Sequence, residues 1–220
     1  MTNTLNWKLK VDEDNGRITT KPSNISNDSI DIVKYDDLNK FKSYWKQIRE
    51  IVNLKPKSVL EVGIGTGFLS NYLKSAGIEV TTLDVDKNRN PDIISDIRGF
   101  ESSKKFDVVC LFEVLEHMPF SHISQLFEKL RHYSNYIIVS LPVCTQAYRF
   151  LTPKMNFIVE LPIRNHNPKS KYHFWELEKT TKQNLEDVLN YNNIKIVRQY
   201  RYKENTYNYF YILKVGKSKV

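Results

Sequence analysis

Thiol chemistry has almost nothing to work with in this chain, because Cys110 and Cys144 are its only cysteines. Two are too few for a disulfide framework or a thiolate zinc site, and Cys110, inside an apolar run, reads as core. Long hydrophobic runs are missing as well. With no stretch of about 18 apolar residues, a membrane-spanning helix is excluded. The N-terminal MTNTLNWKLKVDEDNG lacks the apolar centre of a secretory signal, so the expected home is cytoplasmic and reducing. Blocks of like charge are absent too, although 33 Lys+Arg against 25 Asp+Glu leave a formal charge of +8. The lysines are scattered among Asn, Asp and Glu, which reads as a solvated basic surface rather than a dedicated polyanion site.

What is present suits a globular protein. The 220 residues are 40% apolar and 26% charged, enough for one domain with a buried core. Residues 1–29 are polar and turn-rich and receive no assignment. From Asp31 to Leu54, apolar residues including Ile32, Val33, Tyr35, Leu38, Phe41, Tyr44, Trp45, Ile48 and Ile51 recur at helical spacing until Pro56. The period then changes. Strands are expected at Ser58–Val62, Glu79–Val85, Asp92–Ile97, Phe106–Phe112 and Tyr136–Leu141. Helices are expected at Phe68–Ala76, Phe120–His132 and Thr181–Tyr191. Two alternating strands, Ile194–Tyr202 and Tyr207–Val215, close the chain around Glu204 and Asn205.

Strands alternating with helices imply right-handed βαβ units. The expected fold class is therefore α/β: a doubly wound, mostly parallel seven-stranded sheet with an antiparallel strand at one edge. Residues 1–55 form an N-terminal extension and helix of the same domain, and residues 56–220 carry the sheet. Residues 142–175 interrupt the rhythm with Pro142, Pro153, Pro162 and Pro168 and an apolar patch at Phe157–Ile163. That length is too great for a bare connection, and its aromatics favour a functional cover over a disordered loop.

The strongest local signal is Glu61-Val62-Gly63-Ile64-Gly65-Thr66-Gly67, placed after a strand and before a helix. Glycines there let the backbone turn sharply and approach a ligand at the carboxyl edge of the sheet. A dinucleotide fingerprint needs G-x-G-x-x-G, but Phe68 occupies the position of its last glycine. No G-x-x-x-x-G-K-[ST] occurs, so a nucleoside triphosphate loop is missing. Asp84 ends the second strand, 21 residues after Gly63. Its two oxygens can accept from both hydroxyls of a ribose.

This E-x-G-x-G-x-G pattern resembles motif I of class I S-adenosylmethionine-dependent methyltransferases. Ile94-Ser95-Asp96-Ile97 and Phe106 through His117 resemble the ends of the third and fourth strands of that family. The likeness runs from Val59 to Leu141 and is closest to the small-molecule, ubiquinone-biosynthesis-like group. It implies a Rossmann-like form of the sheet and S-adenosyl-L-methionine as methyl donor. Glu61, Gly63, Ile64, Gly65, Gly67, Asp84, Val85, Asp96, Ile97 and Phe112 are the implied donor contacts. Asp84 would hold the ribose and Asp96 the adenine amino group, with Asp86 as the neighbour that competes with Asp84.

A sulfonium is already a good leaving group, so alignment is the main task and a base is useful only for some acceptors. His117 is the candidate base, with His173 and Glu113 as further catalytic candidates. The alternative is that His117 only orients a loop. No metal is expected. Glu113, Glu116 and His117, at i, i+3 and i+4, form an alternative ligand set for a divalent ion, which His173 could complete. Trp175, with Tyr148, Phe150 and Tyr172, could line an acceptor pocket, or Trp175 could simply pack against the next helix. His122 and His132 read as surface. The expected partner is a small-molecule acceptor; an RNA acceptor and a donor-binding protein without catalysis are the alternatives.

Overall fold

The computed structural model describes residues 36–151, 156–162 and 172–216. Helix α1 (Leu38–Asn53) starts where the Asp37 carboxylate accepts from Lys40 N–H, satisfying one orphan donor of the first turn. The expected start at Asp31 falls outside the described residues. Strand β1 (Ser58–Val62) leads through the glycine-rich turn into α2 (Phe68–Ser75), followed by β2 (Glu79–Asp84), β3 (Ile93–Ile94) and β4 (Phe106–Phe112). A 3-10 turn at Phe120–His122 opens α3 (Ile123–Tyr133), which feeds β5 (Ser134–Pro142). After β6 (Thr145–Leu151) and β7 (Asn156–Pro162) come α4 (Lys179–Tyr191), β8 (Ile194–Arg201) and β9 (Asn208–Val215).

Seven strands form one sheet in the order β3-β2-β1-β4-β5-β9-β8. Pairings among the first five are parallel, while β9 runs antiparallel to both β5 and β8. The expected fold class holds, with the reversed strand one place in from the edge and β8 outermost. Because helices cover both faces, the central strands are apolar throughout rather than alternating. Val59, Val108, Cys110 and Ile138 meet Ile51 of α1 and Leu69 and Leu73 of α2. Leu60, Val109, Leu111, Ile137 and Val139 face Leu126, Phe127 and Leu130 of α3 and Leu185 and Leu189 of α4. Each fully buried aliphatic or aromatic side chain contributes about 1.5–3 kcal/mol. Among the described residues, no helix is long and apolar enough to cross a membrane.

Two expectations need correction. The strand expected over Asp92–Ile97 shrinks to Ile93–Ile94. The Asp92 carboxylate accepts from Thr82 N–H (2.8 Å) and Thr82 Oγ1 (2.9 Å), and Thr82 Oγ1 accepts in return from Asp92 N–H. Such side-chain bonds replace the ladder at Asp92, so pairing starts only at Ile93. The interruption at 142–175 contains regular structure that sequence reading missed. Strands β6 and β7 form a separate antiparallel hairpin, pairing Tyr148 with Val159 and Phe150 with Phe157. Residues 163–171 lie outside the described ones.

Candidate active site

The β1–α2 turn is built by glycines with positive φ: Gly63 at 78°, Gly65 at 57° and Gly67 at 78°. Gly63 is sterically required, since a Cβ there would stand 2.8 Å from Val114 Cγ2. Gly65 differs. A Cβ there would meet no atom within 4 Å, so this backbone presents an open face. Asp84, buried at the end of β2, holds the turn from the side: its Oδ2 accepts from Ile64 N–H (3.0 Å) and its Oδ1 from Asp86 N–H (2.9 Å). Each oxygen retains a second lone pair for a ligand. Arg89, which sequence reading passed over, donates to the Gly65 carbonyl. The only hint of it was its place just after the second strand.

Glu61 lies buried beneath this turn, and its Oε2 has no hydrogen-bond partner. Burial pushes its carboxyl up to about 8, with the Ser70 hydroxyl pulling the other way. A buried acceptor without a donor is costly in isolation and marks a place for one. An open glycine backbone, an orphaned carboxylate oxygen and the spare lone pairs of Asp84 together suit a ligand with vicinal hydroxyls at one end and a cationic donor at the other.

The remaining donor candidates diverge. Asp96 is already engaged: Arg98 donates to it through its backbone N–H (2.8 Å), Nε (3.0 and 3.1 Å) and Nη2 (2.6 Å). Burial would raise the Asp96 carboxyl, but the Arg98 bonds outweigh it and hold the group below its usual range. Ile97 is core, Phe112 is half-buried against Phe210, and Val85 is exposed beside Asp84. His122, against Arg98, and His132 are on the surface as expected.

A second cluster follows β4. Glu113 has a left-handed backbone (φ 57°), unusual for a residue with a side chain. Its Oε1 accepts from Ser140 Oγ (3.0 Å) and Asn208 Nδ2 (2.7 Å). Glu116 is fully buried, and neither of its carboxylate oxygens has a partner. Burial, then the nearby Glu113, pushes its carboxyl well above the usual range. The His117 ring stands edge-on to that of His173, 5.0 Å between centroids. Its Nδ1 lies 3.2 Å from the Tyr172 carbonyl, which can only accept, so the neutral ring keeps its lone pair on Nε2. The residue reaches the surface, but crowding of its ring by neighbouring protein atoms, and then His173, lower its pKa.

His173 arrives from the far side of the 142–175 interruption. Its Nδ1 pairs with Glu176 Oε1 at 2.9 Å, both residues buried. The same segment is pinned by Phe174 N–H to the Glu116 carbonyl (2.8 Å) and by Trp175 Nε1 to the Met118 carbonyl (2.9 Å). Trp175 therefore packs, against Phe120, rather than lining an opening. Tyr172 and Phe150 are exposed, and the side chain of Tyr148 lies outside those described. The ligand set Glu113, Glu116, His117 needs correction: the trio brought together, with donor atoms within 4.8 Å, is Glu116, His117 and His173. Glu113 is drawn aside by Ser140 and Asn208. Sequence reading missed Glu176 and Asn208, because their partners lie on other elements.

Comparison with known proteins agrees with this geometry. The model of a family described as a methyltransferase domain matches residues 39–185. The ubiquinone biosynthesis O-methyltransferase of Pseudomonas fluorescens is 28% identical over 156 residues, covering 62% of this chain and 66% of that enzyme. The chain thus spans slightly less than two thirds of that relative's length. The ribosomal RNA small subunit methyltransferase A of Mesomycoplasma hyopneumoniae is 25% identical over 212 residues, covering 75% of this chain and 81% of that protein. The solved N-methyltransferase NodS from Bradyrhizobium japonicum, in complex with S-adenosyl-L-homocysteine, superposes with a TM-score of 0.60 at 10% identity. That match covers 86% of this chain and 94% of the other, and is a likeness of fold.

Proposed function

Because the chain belongs to the methyltransferase-domain family, we propose that it is an S-adenosylmethionine-dependent methyltransferase acting on an oxygen or nitrogen of a small-molecule acceptor. The observation that carries this reading is the orphaned Glu61 Oε2 beneath an open Gly65 backbone, with Asp84 fixed at its side. When bound, S-adenosylmethionine supplies an electrophilic methyl group on a sulfonium. Asp84 accepts from the ribose hydroxyls, Glu61 faces the cationic methionine end, and the backbone of Gly63 to Gly67 gives close approach. Ile64, Val85, Ile97 and Phe112 border the same ligand. Asp96 contributes only through what Arg98 leaves to it.

Acceptor binding falls to the edge beyond β4, with residues 142–175 as its cover; the Phe174 to Glu116 bond supports that placement. His117 Nε2 takes the proton that the acceptor loses, with His173 and Glu113 shaping the same surface. Alignment alone can lower such a barrier by about 7–11 kcal/mol, so the base refines rather than creates the activity. We propose the reducing cytoplasm as its location, with which the burial of both cysteines, Cys110 and Cys144, accords.

Calorimetric titration with S-adenosyl-L-homocysteine, beside NADH and repeated on Asp84→Ala, tests the core of this reading. Saturable binding of the first ligand alone, weakened in the variant, is expected; no binding would remove the reading. The ribosomal RNA relative makes RNA the acceptor class to run against small molecules, scored by salt-sensitive binding. A second reading of the acceptor edge is a divalent-ion site at Glu116, His117 and His173. It is favoured by their 4.8 Å grouping and by the two unpartnered oxygens of Glu116. Turnover unchanged by chelator would eliminate it.

A further inference from the structure

Glu116 takes no part in holding the donor, yet it is the costliest group in the site. It is fully buried, and both of its carboxylate oxygens lack a hydrogen-bond partner. A buried carboxylate in that state calls for a counter-charge that can also donate hydrogen bonds.

Its neighbours deepen the deficit. Glu113 and Glu176 both stand near enough to disfavour charge on Glu116. Lys40 of α1 is near enough to favour it, but donates to neither Glu116 oxygen. The half-buried Tyr207 lies close to the same three carboxyl groups, which together with burial push its phenol up. Three carboxyl groups outnumber the Lys40 ammonium, so this edge is acidic in a chain whose total is +8. A phenolate or an RNA phosphate would be repelled there, and a cation would be drawn in.

Distance decides which cation. Glu116, His117 and His173 each bring one acceptor atom to within 4.8 Å of the others. Three atoms at that spacing share a centre about 2.8 Å from each, the ordinary length of a charge-assisted N–H···O bond. Direct coordination of Mg²⁺ or a transition ion needs about 2.0–2.2 Å, so the trio would have to contract. A protonated amine needs no contraction, and a primary one carries three N–H donors. His117 reaches the surface where Glu116 does not, so the way in passes its ring. The site also adjoins the donor turn: Val114, between Glu113 and Glu116, is the side chain that a Cβ on Gly63 would strike.

We propose that this edge selects a basic aliphatic amine, bound as its ammonium ion among Glu116, His117 and His173, so that the methylated atom is nitrogen. The inference rests on the methyltransferase reading and narrows it. The ammonium donates to Glu116 and to His117 Nε2, and His117 Nε2 takes one proton, which frees the nitrogen lone pair. That pair attacks the sulfonium methyl. The N–C bond forms as the C–S bond breaks, and sulfur keeps the bonding pair as a neutral thioether. The methylated nitrogen is again an ammonium held by Glu116, and His117 passes its proton to solvent. A sulfonium and an ammonium thus become one ammonium and one released proton.

The test saturates the full chain with S-adenosyl-L-homocysteine in EDTA at neutral pH. It is then titrated calorimetrically with benzylamine hydrochloride, benzyl alcohol and sodium benzoate, probes of similar shape and different charge. The amine is expected to bind at least about tenfold more tightly than the alcohol, with benzoate weakest. Glu116→Gln keeps the shape and removes the charge. It should bring amine and alcohol to within about threefold while S-adenosyl-L-homocysteine affinity stays intact. Equal binding of the three probes, a tighter alcohol or no binding of the amine would overturn the proposal. A preference that survives Glu116→Gln would do the same, and the ranking in the parent protein decides alone if that variant does not fold. Mn²⁺ binding without EDTA, lost in the variant and unaccompanied by any amine preference, would assign the trio to a metal instead. Failure of S-adenosyl-L-homocysteine to bind before any probe is added would sink the methyltransferase reading itself, so the two failures are distinguishable.

Discussion

The turn after β1 and the edge after β4 both offer buried carboxylates at the same border of the sheet, but they are made differently. The first is local: Glu61, Gly63, Gly65 and Gly67 fall within seven residues, and backbone groups do most of the holding. The second gathers Glu113, Glu116 and His117 from one segment, His173 and Glu176 from another, Ser140 from β5 and Asn208 from β9. The lesson is that a binding loop can be written into a short stretch of chain. A constellation of ionisable side chains needs the finished sheet. It also means the two regions should fail separately.

Replacing His117 is expected to have the largest effect. His117→Asn should reduce turnover by about 10²–10⁴-fold, the usual worth of a base, while leaving S-adenosyl-L-homocysteine affinity intact. Parallel loss of affinity, read by calorimetry, would break the separation between the regions. Asp84→Ala is the mirror experiment: affinity should fall about 10- to 100-fold, because hydrogen bonds to a charged group contribute about 1.5–3 kcal/mol.

Within the turn, Gly63→Ala and Gly65→Ala sharpen the comparison further. The first forces a clash with Val114, costing about 1–3 kcal/mol and about 2–4 °C of Tm for each kcal/mol. Adding Val114→Ala should recover part of that loss. Gly65→Ala should spare Tm more and damage ligand affinity more, since its Cβ would point into open space.

The smallest expected effect is a pH dependence. Glu61 titrates at about 8 in the folded protein against an ordinary 4.5. Between those values the native state keeps a proton that the unfolded chain has lost, so stability falls as pH rises through the window. Glu61→Gln should therefore hold its Tm above that of the parent at pH 9 and match it near pH 4. If a cationic ligand end meets the carboxylate, binding at pH 7 should release protons. Calorimetry in buffers of different ionisation enthalpy would detect that release.

Much of the architecture was legible before any coordinates. Continuous apolar runs such as Phe106–Phe112 announce buried parallel strands, and the glycine turn with Asp84 downstream marks the ligand edge. The departures from expectation share a theme. Asp92 bonds Thr82 instead of joining its strand, Arg98 engages the Asp96 carboxylate, and Ser140 with Asn208 draws Glu113 away from an alternative ligand trio. Each reflects a polar side chain finding a partner, across elements for Asp92 and Glu113 and two residues away for Asp96, which periodicity does not encode. The hairpin β6–β7 escaped for a related reason: its prolines read as interruption, although pairing across Tyr148 and Val159 regularises it.

The strands, the helices and the turn that approaches a ligand were set by the sequence alone, because apolar period and glycine conformation act over a few residues. Which carboxylates stay unpartnered and which histidine faces His117 were decided only by the tertiary structure. Hydrogen bonding and burial depend on distance in space, and His117 and His173, 56 residues apart along the chain, become neighbours only once β5 and the segment after the hairpin have closed around Glu116.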